Sequence, residues 1–92
     1  MNTPMFPLGS LVATPGALQA IADSGQTPLD FLARHARGDW GDVSAGDGRL
    51  NDQAVKDGDR IFSAYKTHKG VKLWVITEAD RSSTCILLPE EY

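Results

Sequence analysis

The chain is short of most features that advertise a chemistry. It has one cysteine, Cys85, and two histidines, His35 and His68. A single cysteine excludes an intramolecular disulfide and fits a reducing compartment. Cys85 also stands inside an apolar stretch, where it reads as a packed small hydrophobe rather than a nucleophile. No Cys or His pair falls at metal-ligand spacing, and there is no glycine-rich phosphate loop or nucleophile elbow. No metal and no cofactor is therefore expected. No apolar run approaches the ~18 residues that cross a bilayer. The first residues show no basic region leading into an apolar stretch, so the expectation is a cytoplasmic protein with no membrane partner. Positive charge is also lacking: nine Lys and Arg stand against twelve Asp and Glu, a net charge of −3. That balance argues against nucleic acid as a partner.

What is present is the composition of an ordinary globule, 41% apolar and 23% charged. Ninety-two residues make a single domain, 1–92, with residues 1–10 as an extended N-terminal segment. Leu8 to Ala13 could add a short edge strand. Thr14-Pro15 opens a helix, because Thr caps well and Pro at the first helical position loses no needed hydrogen bond. Leu18, Ile21 and Ala22 give it one apolar stripe, and Gly25 ends it. Thr27-Pro28 opens a second helix with Asp30 in its first turn, apolar residues Leu29, Phe31, Leu32 and Ala36, and Gly38 at its end. The short link predicts a helical hairpin. An acidic, glycine-rich connection follows from Gly38 to Gly48. Asn51 then caps a short third helix over 52–57, which Gly58 stops.

The last third reads as three strands, 60–66, 71–77 and 83–88, joined by turns at His68-Lys69-Gly70 and Asp80-Arg81. The expected fold is α+β: an N-terminal helical hairpin and a short third helix packed on one face of a three-stranded antiparallel meander. A register that sets Phe62 opposite Val75 and Val75 opposite Ile86, with Ala64, Leu73 and Leu88 beside them, makes one face wholly apolar. It leaves Ile61, Ser63, Tyr65, Lys72, Trp74, Ile76, Cys85 and Leu87 on a mixed face. Exposed aromatics grouped on a sheet mark a contact surface, so Ser63, Tyr65, Lys72 and Trp74 are the candidate binding residues. Alternatively, residues 5–11 cover Trp74. Trp40, between small and polar neighbours, fits a plug at the helix–sheet junction.

Other residues have plain readings. His35, beside Arg34 and Arg37, sits where a helix C-terminus favours positive charge. Asp39, Asp42 and Asp47 lack the alternation and closing Glu of a calcium loop and read as a solvated connection. Glu90 and Glu91 read as a solvated acidic tail. His35, Glu78 and Arg81 are the alternative catalytic set.

Gly38-Asp39-Trp40-Gly41-Asp42, Arg60-Ile61-Phe62-Ser63-Ala64-Tyr65, Leu73-Trp74-Val75-Ile76-Thr77-Glu78-Ala79-Asp80-Arg81-Ser82 and Leu87-Leu88-Pro89-Glu90-Glu91-Tyr92 resemble a family of small, functionally uncharacterised bacterial proteins. That family is found on plasmids and integrated mobile elements, and the resemblance runs over residues 11–92. It implies a bacterial mobile-element setting and no catalytic residues. The expected function is a non-enzymatic interaction or regulatory protein, in the manner of an anti-defence factor, that binds a protein partner through the mixed sheet face. A homodimer through a sheet edge would enlarge so small a surface. The alternative is a small ribonuclease-like toxin, since helices followed by a sheet match a barnase-like or RelE-like layout, with His35, Glu78, Arg81 and Tyr65 as acid–base and phosphate contacts.

Overall fold

Two Thr-Pro steps start helices, and two glycines stop them. The computed structural model describes residues 4–92, so the first three residues of the expected extended segment lie outside it. Helix α1 spans Pro15–Asp23 and α2 spans Pro28–Ala36. Thr14 Oγ1 accepts the Ala17 N–H at 3.2 Å, and the Asp30 carboxylate accepts the Thr27 N–H at 2.8 Å. Gly25 and Gly38 follow with φ of +74° and +84°, the left-handed turn that ends a helix without a Cβ clash.

Helix α3 differs from expectation. It spans Ala45–Asp57, and its cap is Ser44, whose Oγ accepts the Asp47 N–H at 3.1 Å. Asn51 is a mid-helix residue. The first turns of α3 hold Gly46 and Gly48, weak helix formers, so local propensity hides a start that the Ser44 cap and tertiary packing fix.

The α+β class holds, but the sheet is mixed and has four strands rather than being a three-stranded meander. The strands are β1 (Ser10–Ala13), β2 (Ile61–Lys66), β3 (Lys72–Thr77) and β4 (Ser83–Leu87). Their spatial order is β1-β4-β3-β2, with β1 parallel to β4 and the other pairs antiparallel. A strand therefore precedes the helices. The chain starts at one edge, the helices cross one face, and the meander returns from the far edge to end beside β1. Each helix packs on its own strand: α1 on β4, α2 on β3 and α3 on β2.

The β3–β4 register places Val75 opposite Ile86, as the sequence predicts, but β2 is shifted by one residue. Ser63, not Phe62, faces Val75, and Tyr65, not Ala64, faces Leu73. Turn length decides this. A three-residue loop with Gly70 at φ +80° brings the Thr67 N–H to the Val71 carbonyl at 2.9 Å, which sets Lys66 opposite Lys72. The shift turns Ile61, Ser63 and Tyr65 toward the helices and Phe62 and Ala64 outward.

The inner face holds two apolar clusters. One joins Ile21, Phe31, Leu32, Tyr65, Leu73, Val75 and Ile86; the other joins Phe6, Trp40, Ala54 and Ile61. Phe6 shows that the N-terminal segment belongs to the core. Leu18, expected in the core, is exposed. A seam of buried polar groups lies between the clusters, since Ser63 stands between Ile61 and Tyr65 on one strand face. His35, fully buried, has Nδ1 2.5 Å from Ser63 Oγ and Nε2 2.9 Å from Thr77 Oγ1. Thr77 Oγ1 is 2.7 Å from Thr84 Oγ1, which donates to the Leu8 carbonyl at 2.7 Å. That last bond fixes every proton along the row. Thr84 spends its hydrogen on Leu8, so Thr77 donates to Thr84, His35 Nε2–H donates to Thr77, and Ser63 donates to Nδ1. The imidazole is the neutral Nε2–H tautomer, and burial pushes its pKa down to about 4.

Candidate functional site

No α-helix covers the outer face of the sheet, though the short 3-10 helix Pro89–Glu91 lies against β3 and Ile76 and Leu87 are buried on this side. The alternation that buries Tyr65 and Val75 brings Phe62, Ala64, Trp74, Ile76 and Leu87 to this side. Phe62 and Trp74 meet edge to face at 5.1 Å, and Trp74 meets Tyr92 in the same manner at 5.8 Å. The result is an aromatic row across β2 and β3. Trp74 is half-buried, and the residue beside it is Tyr92 rather than any of residues 5–11. Phe6 from that segment packs instead on His35 and Trp40, at 5.3 and 6.2 Å.

Tyr92 is positioned by bonds around it. Arg60 donates to the Tyr92 hydroxyl at 2.8 Å and pairs with Glu78 at 3.5 Å. Glu91, expected as part of a free acidic tail, accepts the Thr14 hydroxyl at 2.5 Å and the Leu88 N–H at 2.9 Å. These bonds, the Thr14 one foremost, hold its carboxyl below the usual range.

On the other side of Trp74 a groove of about 360 Å³ opens between the sheet and the segment leading into α3. Phe62, Ala64 and Trp74 form its floor. Asp42, Ser44 and Asp47 wall one side, and Lys66 and Lys72 wall the other. The two lysines are direct cross-strand neighbours, and no carboxylate among the described residues comes within 4.0 Å of either. Like charges opposite each other oppose strand pairing. The groove is thus apolar at its base, with two lysines on one rim and two aspartates on the other.

The structure separates the residues grouped from sequence. Lys72 and Trp74 share the outer face. Ser63 and Tyr65 face the core, because of the one-residue shift of β2. The Tyr65 hydroxyl donates to the Asp39 carbonyl at 2.6 Å, and the Arg34 guanidinium lies 4.4 Å over its ring. Burial pushes its pKa up to about 12. Asp39 pairs with Arg34 at 2.7 Å, which holds its carboxyl below the usual range. Trp40 is a plug, as expected, and its Nε1–H donates to Asp52 at 3.0 Å.

His35, Glu78 and Arg81 do not form one cluster. His35 lies within the core, turned inward rather than out toward solvent at the end of α2. Glu78 is engaged with Arg60. Arg81 adopts φ +60° and donates to the carbonyls of Asp59 at 2.6 Å and Ala54 at 3.0 Å, clamping the C-terminal end of α3 to the β3–β4 turn. Arg81→Ala is expected to cost about 2 kcal/mol, by loss of charged hydrogen bonds. Arg81→Gly should cost about 1 kcal/mol less, because glycine relieves the left-handed backbone. Urea denaturation midpoints check both; equal losses would show that the backbone is unstrained.

Sequence reasoning also missed Asn51. Its side chain bonds both backbone groups of Phe62, accepting at 3.1 Å and donating at 2.6 Å. An Asn within a helix could have signalled a side chain with an inward task, since Asn is a poor helix former. No family model, curated protein or solved structure matches the chain.

Proposed function

We propose that this chain is a non-enzymatic binding module that docks a protein partner on its outer sheet face. The observation carrying the reading is the Phe62–Trp74–Tyr92 row opening into a groove whose rim holds two lysines without a carboxylate partner. An apolar floor between a lysine rim and an aspartate rim suits a partner segment that inserts an aliphatic or aromatic side chain, sets an acidic group toward Lys66 and Lys72, and keeps it away from Asp42 and Asp47. Trp at such a centre commonly dominates binding energy. The resemblance read from the sequence adds a setting, a bacterial mobile element, and with it a host protein as the partner regulated. His35 contributes nothing to this reading, being enclosed among core side chains.

The test compares wild type with Trp74→Ala and Lys72→Glu as immobilised baits on bacterial extract, followed by titration of any captured protein. Trp74→Ala is expected to weaken binding at least ten-fold, equivalent to ~1.4 kcal/mol or more, while shifting the melting temperature by only a few degrees. Lys72→Glu should weaken binding and change its salt dependence, since the charge facing an acidic partner group is reversed. Equal affinity in all three proteins would sink the proposal. Outright unfolding of Trp74→Ala would assign Trp74 to the core instead.

A further inference from the structure

The two edges of the sheet are treated differently. At β2 the outward backbone groups of Phe62 and Ala64 are occupied. Asn51 takes both groups of Phe62, the Ala64 N–H donates to the Trp40 carbonyl at 3.1 Å, and the Asp42 N–H donates to the Ala64 carbonyl at 2.6 Å. At β1 nothing comparable is present. Ser10 and Thr14 donate to the Ser82 and Ile86 carbonyls, both at 3.0 Å, so alternation turns the N–H and C=O of Leu11 and Ala13 away from the sheet. Neither residue has a cross-chain partner there among the described residues. The strand carries no lysine, proline or bulge to discourage pairing, and it exposes Leu11 at 56% and Val12 at 51%.

We propose that β1 pairs antiparallel with β1 of a second copy, with the two-fold axis at Val12. The outward groups themselves select this register. An axis at Leu11 would pair Ala13 with Gly9, which has φ +66° and is not extended. An axis at Ala13 would pair Leu11 with Pro15, the first residue of α1 and without an N–H. An axis between residues would set an outward-facing residue against an inward-facing one. Only the axis at Val12 matches Leu11 with the second copy's Ala13 twice over, giving four backbone hydrogen bonds. Self-complementarity of this kind is what a two-fold requires, and it favours a second copy over an unrelated strand. Val12 lies on the outer face, because it is registered with Cys85 and Cys85 with Ile76. The two Val12 side chains then meet in the close, non-hydrogen-bonded position, and the eight-stranded sheet presents two aromatic rows on one side. Four residues of edge bury less than the ~1,200 Å² of a standard interface, so the dimer is weak and concentration-dependent.

Sedimentation from 10 µM to 1 mM tests it. The mass of the wild type should rise from 9.9 kDa toward twice that value, whereas Val12→Lys should stay monomeric with an unchanged melting temperature. In a Cys85→Ser background, Val12→Cys should cross-link under oxidised glutathione, since opposed residues in this position have Cα atoms within disulfide range. Leu11→Cys, displaced from its own copy across the axis, should not. Trp74→Ala should leave sedimentation unchanged, which separates this inference from the partner-binding reading. A wild type that remains monomeric at 1 mM, a Val12→Lys protein that still dimerises, or equal cross-linking at both cysteines overturns it. A monomer would leave the edge to a foreign strand.

Discussion

Replacing Gly41 by alanine is expected to destabilise the protein by about 4 kcal/mol, a large part of the stability of so small a domain. Gly41 has φ +75° and bridges to Ala64 at the outer edge of β2. A Cβ there would overlap the Ala64 carbonyl oxygen and press on the Tyr65 ring at 2.6 Å. Neither neighbour can yield. The Ala64 carbonyl is held by the Asp42 N–H, and Tyr65 is fixed by Phe31 on one side and by its hydroxyl bond to the Asp39 carbonyl. The cost therefore joins left-handed strain to a clash and to loss of the strand-edge bonds. Gly58 is the control. It has the same φ, +75°, but open space where a Cβ would be placed. Gly58→Ala should lose only about 1 kcal/mol, the strain alone. Urea unfolding of the two variants separates the terms, and a similar midpoint shift in both would show that the Gly41 approach is not tight.

The second large effect concerns the seam around His35. His35→Ala should cost about 3–5 kcal/mol, because it opens a cavity and leaves the Ser63 and Thr77 hydroxyls buried beside it. Removing all three polar partners together, as His35→Phe with Ser63→Ala and Thr77→Val, should recover part of that loss, since a buried polar group is costly mainly when its partner is missing. The same seam sets a pH dependence. The His35 pKa is about 4 in the fold against 6.5 in an unfolded chain. Above pH 6.5 both states are neutral, and His35 gives stability no slope. Between pH 6.5 and 4 the unfolded chain binds a proton that the fold refuses, so stability falls as pH falls. Below 4 both states are charged and the slope ends. The full loss is about 3 kcal/mol. Asp39 and Glu91, whose carboxyls sit below their usual range, add a further loss that sets in as pH falls past 4.5 for Glu91 and past 3.8 for Asp39. The triple variant should flatten the window from 6.5 to 4 while keeping the fall beneath it. A wild-type profile that is flat across that window would mean that water or a carboxylate reaches the imidazole.

The seam also explains why the site was only half legible. The expected register sets Ser63 on the mixed face so that the opposite face is wholly apolar, and for an isolated strand that argument is sound. It fails because a histidine on α2, 28 residues earlier, meets the hydroxyl. The length of the turn at His68-Lys69-Gly70 carried the right parity, since three loop residues pair Thr67 with Val71. Polarity outweighed it. With the parity reversed, Ser63 and Tyr65 leave the proposed patch and Phe62 and Ala64 enter it. Trp74 and Lys72 stay, because β3 keeps its alternation under either register.

What the sequence determined by itself was local. Thr14-Pro15, Thr27-Pro28, Gly25 and Gly38 bounded two helices, because capping and left-handed turns depend on a few adjacent residues. The three C-terminal strands and the Val75–Ile86 pairing followed from alternation across a short turn. The tertiary structure alone decided what joins distant residues. Thr84 bonds the Leu8 carbonyl across 76 positions, and β1 lies parallel to β4 across a similar span. Phe6 becomes core through Trp40 and His35, and Glu91 becomes a brace through Thr14. Asn51 trades a cap for the edge of β2. In each case a side chain's own preference allowed several partners. For all but Glu91, whose bond to Thr14 is exposed, burial made an unsatisfied polar group or an exposed ring too costly, and the partner that removed that cost lay far along the chain.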